Sequence, residues 1–137
     1  MISAITNKGN VRFMLYETMN QQTLIDFMRR LVLDASRKVF LILDNFRVHH
    51  GKIVTQWLEK NEDKIEAFFL PPYTPELNPV EYLNHALKVD VHSGKHPRKK
   101  SDLNHKIHSF MRKLQHRDDR VRAFFKHRNL TYIRATV

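Results

Sequence analysis

Val39-Phe40-Leu41-Ile42-Leu43 is a run of five apolar residues that stops abruptly at Asp44-Asn45. It is too short for a helix of ordinary length and far too short to span a bilayer, which takes about 20 residues. Branched and aromatic side chains fill it, so it reads as a strand, and its unbroken apolar character predicts cover on both faces. A second, largely apolar run, Ile65 to Leu70, follows a segment with helical spacing. Strands alternating with helices in this way pair in parallel, because the crossover helix returns the chain to the same end of the sheet. The pattern makes the fold class α/β.

The flanking segments agree with that frame. Ile2 to Thr6 and Val11 to Glu17 are short β-rich runs joined by Asn7-Lys8-Gly9-Asn10, which predicts an antiparallel hairpin. Leu24, Phe27, Met28, Leu31 and Val32 recur at helical spacing, with Asn20 or Thr23 available as the cap. Between the two apolar strands a helix is expected to turn Ile53, Trp57 and Leu58 inward. The loop Pro71-Pro72-Tyr73-Thr74-Pro75 then leads to Asn78-Pro79, where a third helix starts. Beyond a break at Ser93-Gly94 and Pro97, Ser101 is the expected cap of a further helix. Its apolar stripe is Leu103, Ile107, Phe110, Met111 and Leu114, and it carries His105, Lys106, Arg112, Lys113 and His116 on another face. Asp118-Asp119 mark a last helix start, with Val121, Phe124 and Phe125 packing inward.

Charge narrows the partners. Twenty-four Lys and Arg against fourteen Asp and Glu give a formal net charge of +10, with nine histidines besides. Most of that surplus lies beyond Lys88, so a polyanion is the natural partner, since neutralised phosphates release counterions. A solvated basic surface without a partner is the plainer alternative. The absence of cysteine removes disulfides and thiolate metal sites and suits a reducing cytoplasm. The start, MISAITNKG, lacks the charged and apolar regions of a signal peptide, and no membrane partner is expected.

Two carboxylates stand out. Asp44 lies at the carboxyl end of an apolar strand, the edge where catalytic groups collect in open α/β sheets, although an aspartate there also serves simply to cap the turn. Glu81 follows Asn78 by three residues, with Pro79 at the first helical position, which is a capping arrangement in its own right. A first-turn glutamate also meets the positive end of the helix dipole, and the two roles are compatible. His49 and His50 match no metal-ligand spacing, and a phosphate-binding or orienting role suits at least one of them. Trp57 and the phenylalanines read as core.

Taken together, LILDNFRVHH and AFFLPPYTPELNPVEYLNHALK resemble the DDE-superfamily transposases of the bacterial insertion sequence 630 and mariner-like group. The residues that carry the resemblance are Asp44, Asn45, His49, Leu70 to Tyr73, Pro75, Leu77 to Pro79, Glu81 and Lys88. One departure is Asn84, where many relatives carry tryptophan. The resemblance implies an RNase H-like mixed sheet flanked by helices, and a two-metal site for Mg²⁺ or Mn²⁺. Asp44 would be its second acidic ligand and Glu81 its third. The implied activity is DNA strand cleavage and strand transfer at insertion-element ends. Asn45, His49, Lys88, Lys106, Arg112 and Lys113 are the expected DNA contacts.

The family pattern also calls for a first aspartate on a strand ahead of the hairpin, and for an N-terminal helix-turn-helix region. Asp26 and Asp34 do not substitute, since neither falls on a strand. The expectation is therefore a C-terminal part of the enzyme: residues 1–92 a partial RNase H-like catalytic domain lacking the first central strand, residues 93–137 a basic helical extension packed on it. Such a chain is expected to be inactive alone, to need an upstream half, and to bind double-stranded DNA at transposon ends and target. Unpaired strand edges predict a homodimer, a strand-exchanged oligomer, or pairing of the hairpin with the Asp44 strand. The competing reading is a non-catalytic DNA-binding regulator.

Overall fold

A computed structural model describes residues 1–135. The chain divides into two compact units, one of residues 1–2 and 16–78, the other of residues 3–15 and the chain from Pro79 onward.

The first unit is built on a strand–helix–strand core. β3 (Val39–Leu43) and β4 (Ile65–Phe69) pair in parallel from Val39↔Ile65 to Leu43↔Phe69, and α2 (Lys52–Lys60) makes the crossover between them. α1 (Gln21–Asp34) precedes β3 and is capped by Asn20, whose side chain accepts from the Thr23 amide at 2.9 Å. A cap of this kind is worth about 1 kcal/mol. Leu24, Ile25 and Met28 of α1 meet Val54 of α2 and Ile65 of β4 in one buried cluster, against which Val39, Leu41, Trp57 and Leu58 pack. Each fully buried aliphatic side chain there stabilises by roughly 1.5–3 kcal/mol. Gln21 joins the two helices, because its Oε1 accepts from the Ile53 and Val54 amides at 2.9 and 3.2 Å and so caps α2 from a distance.

Three expectations change here. Ile53 points outward at 54% exposed, and Val54 takes the buried position. The stripe of α2 thus centres on Val54, Trp57 and Leu58, and Ile53, although four residues ahead of Trp57, falls beyond its edge. Val32 is half-buried, and Ile25 is the further buried residue of α1. β3 is not covered on both faces. Its odd-numbered residues turn to the α1–α2 cluster, while Phe40 (63% exposed) and Ile42, with Phe68 of β4, lie open on the other face. Apolar runs of this kind suit a strand sandwiched between helices, but in this two-stranded sheet α1 and α2 cover one side.

The second unit holds a hairpin and four helices. β1 (Ile2–Ile5) and β2 (Val11–Met14) are shorter than expected and, among the described residues, form a two-stranded sheet of their own. Their turn closes through Gly9 N–H to the Thr6 carbonyl at 3.0 Å. Gly9 sits at φ +98, and a Cβ there would lie 2.6 Å from that of Asp118, so both conformation and proximity require glycine.

α3 (Pro79–His92) buries Leu83, Leu87 and Val91, one residue per turn. α4 (Lys100–Leu114) buries Phe110, Met111 and Leu114, whereas Leu103 at the expected start of its stripe is exposed. Ser101 is not its cap. The helix begins two residues earlier than that cap implies, with Lys99 at the cap position and no side-chain cap bond, and the Leu103 amide bonds the Lys99 carbonyl at 3.0 Å. α5 (Asp118–Ala123) starts at the two expected aspartates. It is not the last helix, since α6 (Thr131–Ala135) follows and contributes to a cluster of Phe125, Leu130 and Ile133 with Ile5, Tyr82 and Tyr132 against it.

Candidate active site

Asp44 is the first residue beyond β3, half-buried, where the strand's apolar pattern ends. Two neighbours hold it. The side-chain amide of Asn78, itself buried at 8% exposure, donates to Asp44 Oδ1 at 3.0 Å. His49, equally buried at 9%, donates through Nδ1 to the Asp44 backbone carbonyl. No hydrogen bond reaches Asp44 Oδ2 among the described residues.

The local fold explains both contacts. After Asp44 the chain enters a single 3₁₀ turn, Arg47–His50, which folds His49 back under the strand end between Phe46 and Phe69 at ring separations of 5.5 and 6.5 Å. Burial pushes the His49 pKa below the ordinary imidazole value, and the Asp44 carbonyl and charge offset this only in part. A carbonyl oxygen only accepts, so Nδ1 carries the proton. His50 lies outside this arrangement: it is exposed, lies tilted against Phe69 with ring centroids 4.1 Å apart, and bonds Asn45 Oδ1 through Nε2.

Asn78 arrives from the proline-rich loop, which braces itself. Thr74 Oγ1 donates to the Pro71 carbonyl at 2.6 Å, and the Leu77 and Asn78 amides close a short 3₁₀ turn onto Thr74 and Pro75, each at 3.0 Å. Tyr73 pivots the loop at φ +59, with its side chain fully exposed. A non-glycine residue there costs roughly 1–2 kcal/mol, which the rest of the loop has to offset. Asn78 then occupies the cap position of α3 in extended backbone, and Glu81 stands half-buried in the first turn of that helix, where the dipole favours a carboxylate.

The expected DNA contacts separate by accessibility. Lys88, Arg112, Lys113 and Asn45 are exposed. Lys106 is engaged internally: its ammonium donates to the carbonyls of Val91, Ser93 and Lys95 at 3.3, 3.4 and 2.5 Å, closing the C-terminal end of α3. His49 is buried beneath the strand end. Asn78 is the residue that sequence reasoning read only as a cap. Its place three residues ahead of Glu81 was visible, but the reach of its amide back to Asp44, 34 residues away, was not.

A family model described as DDE superfamily endonuclease matches residues 1–104. The chain belongs to that superfamily. A comparison with curated proteins gave no match. The matched segment contains β3 with Asp44, the proline-rich loop, Asn78 and the whole of α3 with Glu81. A DDE endonuclease acts on DNA, and superfamily members generally use divalent metal ions. The donors here fit such an ion in kind, since carboxylate oxygens are the hard ligands that Mg²⁺ and Mn²⁺ prefer and Asp44 offers one with no hydrogen bond. No group of three or more His, Cys, Asp or Glu side chains comes together among the described residues. Nor is any helix among them long and apolar enough to cross a membrane.

Proposed function

We propose that this DDE endonuclease is the C-terminal part of a transposase of the insertion sequence 630 and mariner-like group, in which Asp44 and Glu81 are two of three catalytic carboxylates. The observation that carries the reading is the Asp44 carboxylate at the end of a sheet strand, one oxygen held by a buried amide and the other without a hydrogen bond among the described residues. A turn-capping aspartate would need no such arrangement. The α/β frame and the superfamily membership support an RNase H-like architecture, with residues 1–92 as the nuclease part and 93–137 as a basic helical extension.

On this reading Asp44 and Glu81 hold Mg²⁺ or Mn²⁺, which when bound supplies charge stabilisation for the attacking and leaving oxygens of phosphoryl transfer. Glu81 stands in the first turn of α3, at the end of the helix dipole that attracts negative charge. His49 fixes the backbone of Asp44 from below. Lys88, Arg112, Lys113 and Asn45 position the DNA backbone, and Lys106 adds to their field while tying α4 to the end of α3. Water is the nucleophile for nicking an element end, and the freed 3′-hydroxyl is the nucleophile for joining target DNA.

A third carboxylate comes, on this account, from an additional polypeptide that also reads the element end. The test is Mg²⁺-dependent nicking of an element-end duplex with and without that polypeptide. Activity should arise only in the mixture. Equal nicking by this chain alone would contradict the incomplete site, and an inert mixture would contradict the transposase reading.

A further inference from the structure

We infer that Asn78 is the positioning residue of the Asp44 carboxylate: its buried amide fixes Oδ1 and thereby presents Oδ2 as the oxygen that meets the cation. This rests on the nuclease reading of Asp44 above. The Asn78 amide lies 3.0 Å from Oδ1 and is nearly closed off from solvent, so the bond does not compete with water as a surface contact would. With His49 on the backbone carbonyl of the same residue, Asp44 is held at both ends, and only Oδ2 has no hydrogen bond among the described residues.

The choice of side chain has a chemical logic. Lysine or arginine at this position would hold the carboxylate equally well, but would cancel the negative charge a divalent cation needs and repel the cation directly. A serine hydroxyl is neutral but one atom shorter. An amide donates without titrating and leaves the full charge on the ligand. Such partners of ligating carboxylates orient the ligand, and losing one typically lowers metal affinity about 10- to 100-fold. The self-braced loop behind Asn78 supplies the rigidity this role needs, because the amide is set before any ion arrives. Asn78 also ends where α3 begins, so one residue carries both the orientation of Asp44 and the start of the helix bearing Glu81.

A cap role and a positioning role are separable. Serine caps a helix about as well as asparagine, yet its hydroxyl is too short to make this bond. The experiment follows Mn²⁺-induced broadening in ¹⁵N-resolved NMR spectra of the whole chain, for the wild type, Asn78→Ser and Asp44→Asn. The wild type should show broadening centred on Asp44, Asp44→Asn should abolish it, and Asn78→Ser should need about tenfold more Mn²⁺ with its thermal transition nearly unchanged. Unchanged Mn²⁺ response in Asn78→Ser, with the Asp44→Asn loss intact, overturns the positioning role and leaves the nuclease reading standing. Equal responses in wild type and Asp44→Asn overturn that reading and the inference with it. If Asn78→Ser does not fold, the wild-type Asn78 side-chain amide is the reporter: it should respond at the same Mg²⁺ concentrations as Asp44, and a silent amide beside a responding Asp44 overturns the role.

Discussion

His49, for which the sequence leaves a phosphate-binding or an orienting role open, supports the backbone of Asp44. A histidine five residues after an aspartate invites a ligand or phosphate role. Here the apolar walls of Phe46 and Phe69 bury the ring and one nitrogen is committed to a carbonyl. The consequence for stability has a definite sign. Burial places the folded-state pKa below the unfolded value near 6.5, so the unfolded chain binds the extra proton first as pH falls. Stability from this group is whole above pH 6.5 and is lost as pH drops through 6.5 toward the folded value. Urea unfolding at neutral and at mildly acid pH should show that loss, and His49→Asn, which keeps a donor but cannot titrate, should show less of it. Parallel pH profiles would contradict the buried neutral ring. The cap Asn20 was legible because type and spacing alone point to it, and so were the positions of Asp44 at a strand end and Glu81 in a first helical turn. The amide of Asn78 was not, because a contact spanning 34 residues depends on how a loop closes.

Among the elements, helices were read more fully than strands. The apolar stripes of α1, α3 and α4 follow from helical periodicity, and errors fell at their ends, as with Ser101 and Leu103, where capping and fraying compete. The strands were placed correctly, but their environment was not, since an apolar run says what a strand tolerates rather than what covers it. The cations of the basic helix α4 differ in setting, Lys106 bonded to the end of α3 and Arg112 and Lys113 exposed. Lys106 holds the end of α3, so Lys106→Met should lower stability by about 1 kcal/mol, seen in denaturant unfolding. Neutralising the exposed Arg112 and Lys113 should instead leave stability alone and flatten the salt dependence of DNA binding, by roughly one unit of slope per lost phosphate contact. A slope unchanged by the double variant would mean that this face meets no DNA.

For the whole molecule, the sequence pattern of helix and strand led to the α/β class, and the family match over residues 1–104 agrees with the blocks that carry Asp44 and Glu81. What periodicity does not contain is the joining of the strands, which depends on contacts remote in sequence. Among the described residues two two-stranded sheets result, and there β3 has β4 on one edge and no strand on the other, beside the open face of Phe40, Ile42 and Phe68. Such an edge invites pairing with a second chain. Sedimentation should therefore give a mass above the 16.4 kDa of one chain that rises with concentration, and Phe40→Lys should reduce it. A species at 16.4 kDa at every concentration would contradict self-association. The central claim, that Asp44 and Glu81 are the working carboxylates of a DNA-cutting site, is tested most directly by single-turnover nicking in the complete mixture. Asp44→Ala and Glu81→Ala should each cut the rate by about a thousandfold or more while DNA affinity stays within about twofold. Nicking at the wild-type rate by either variant would contradict it.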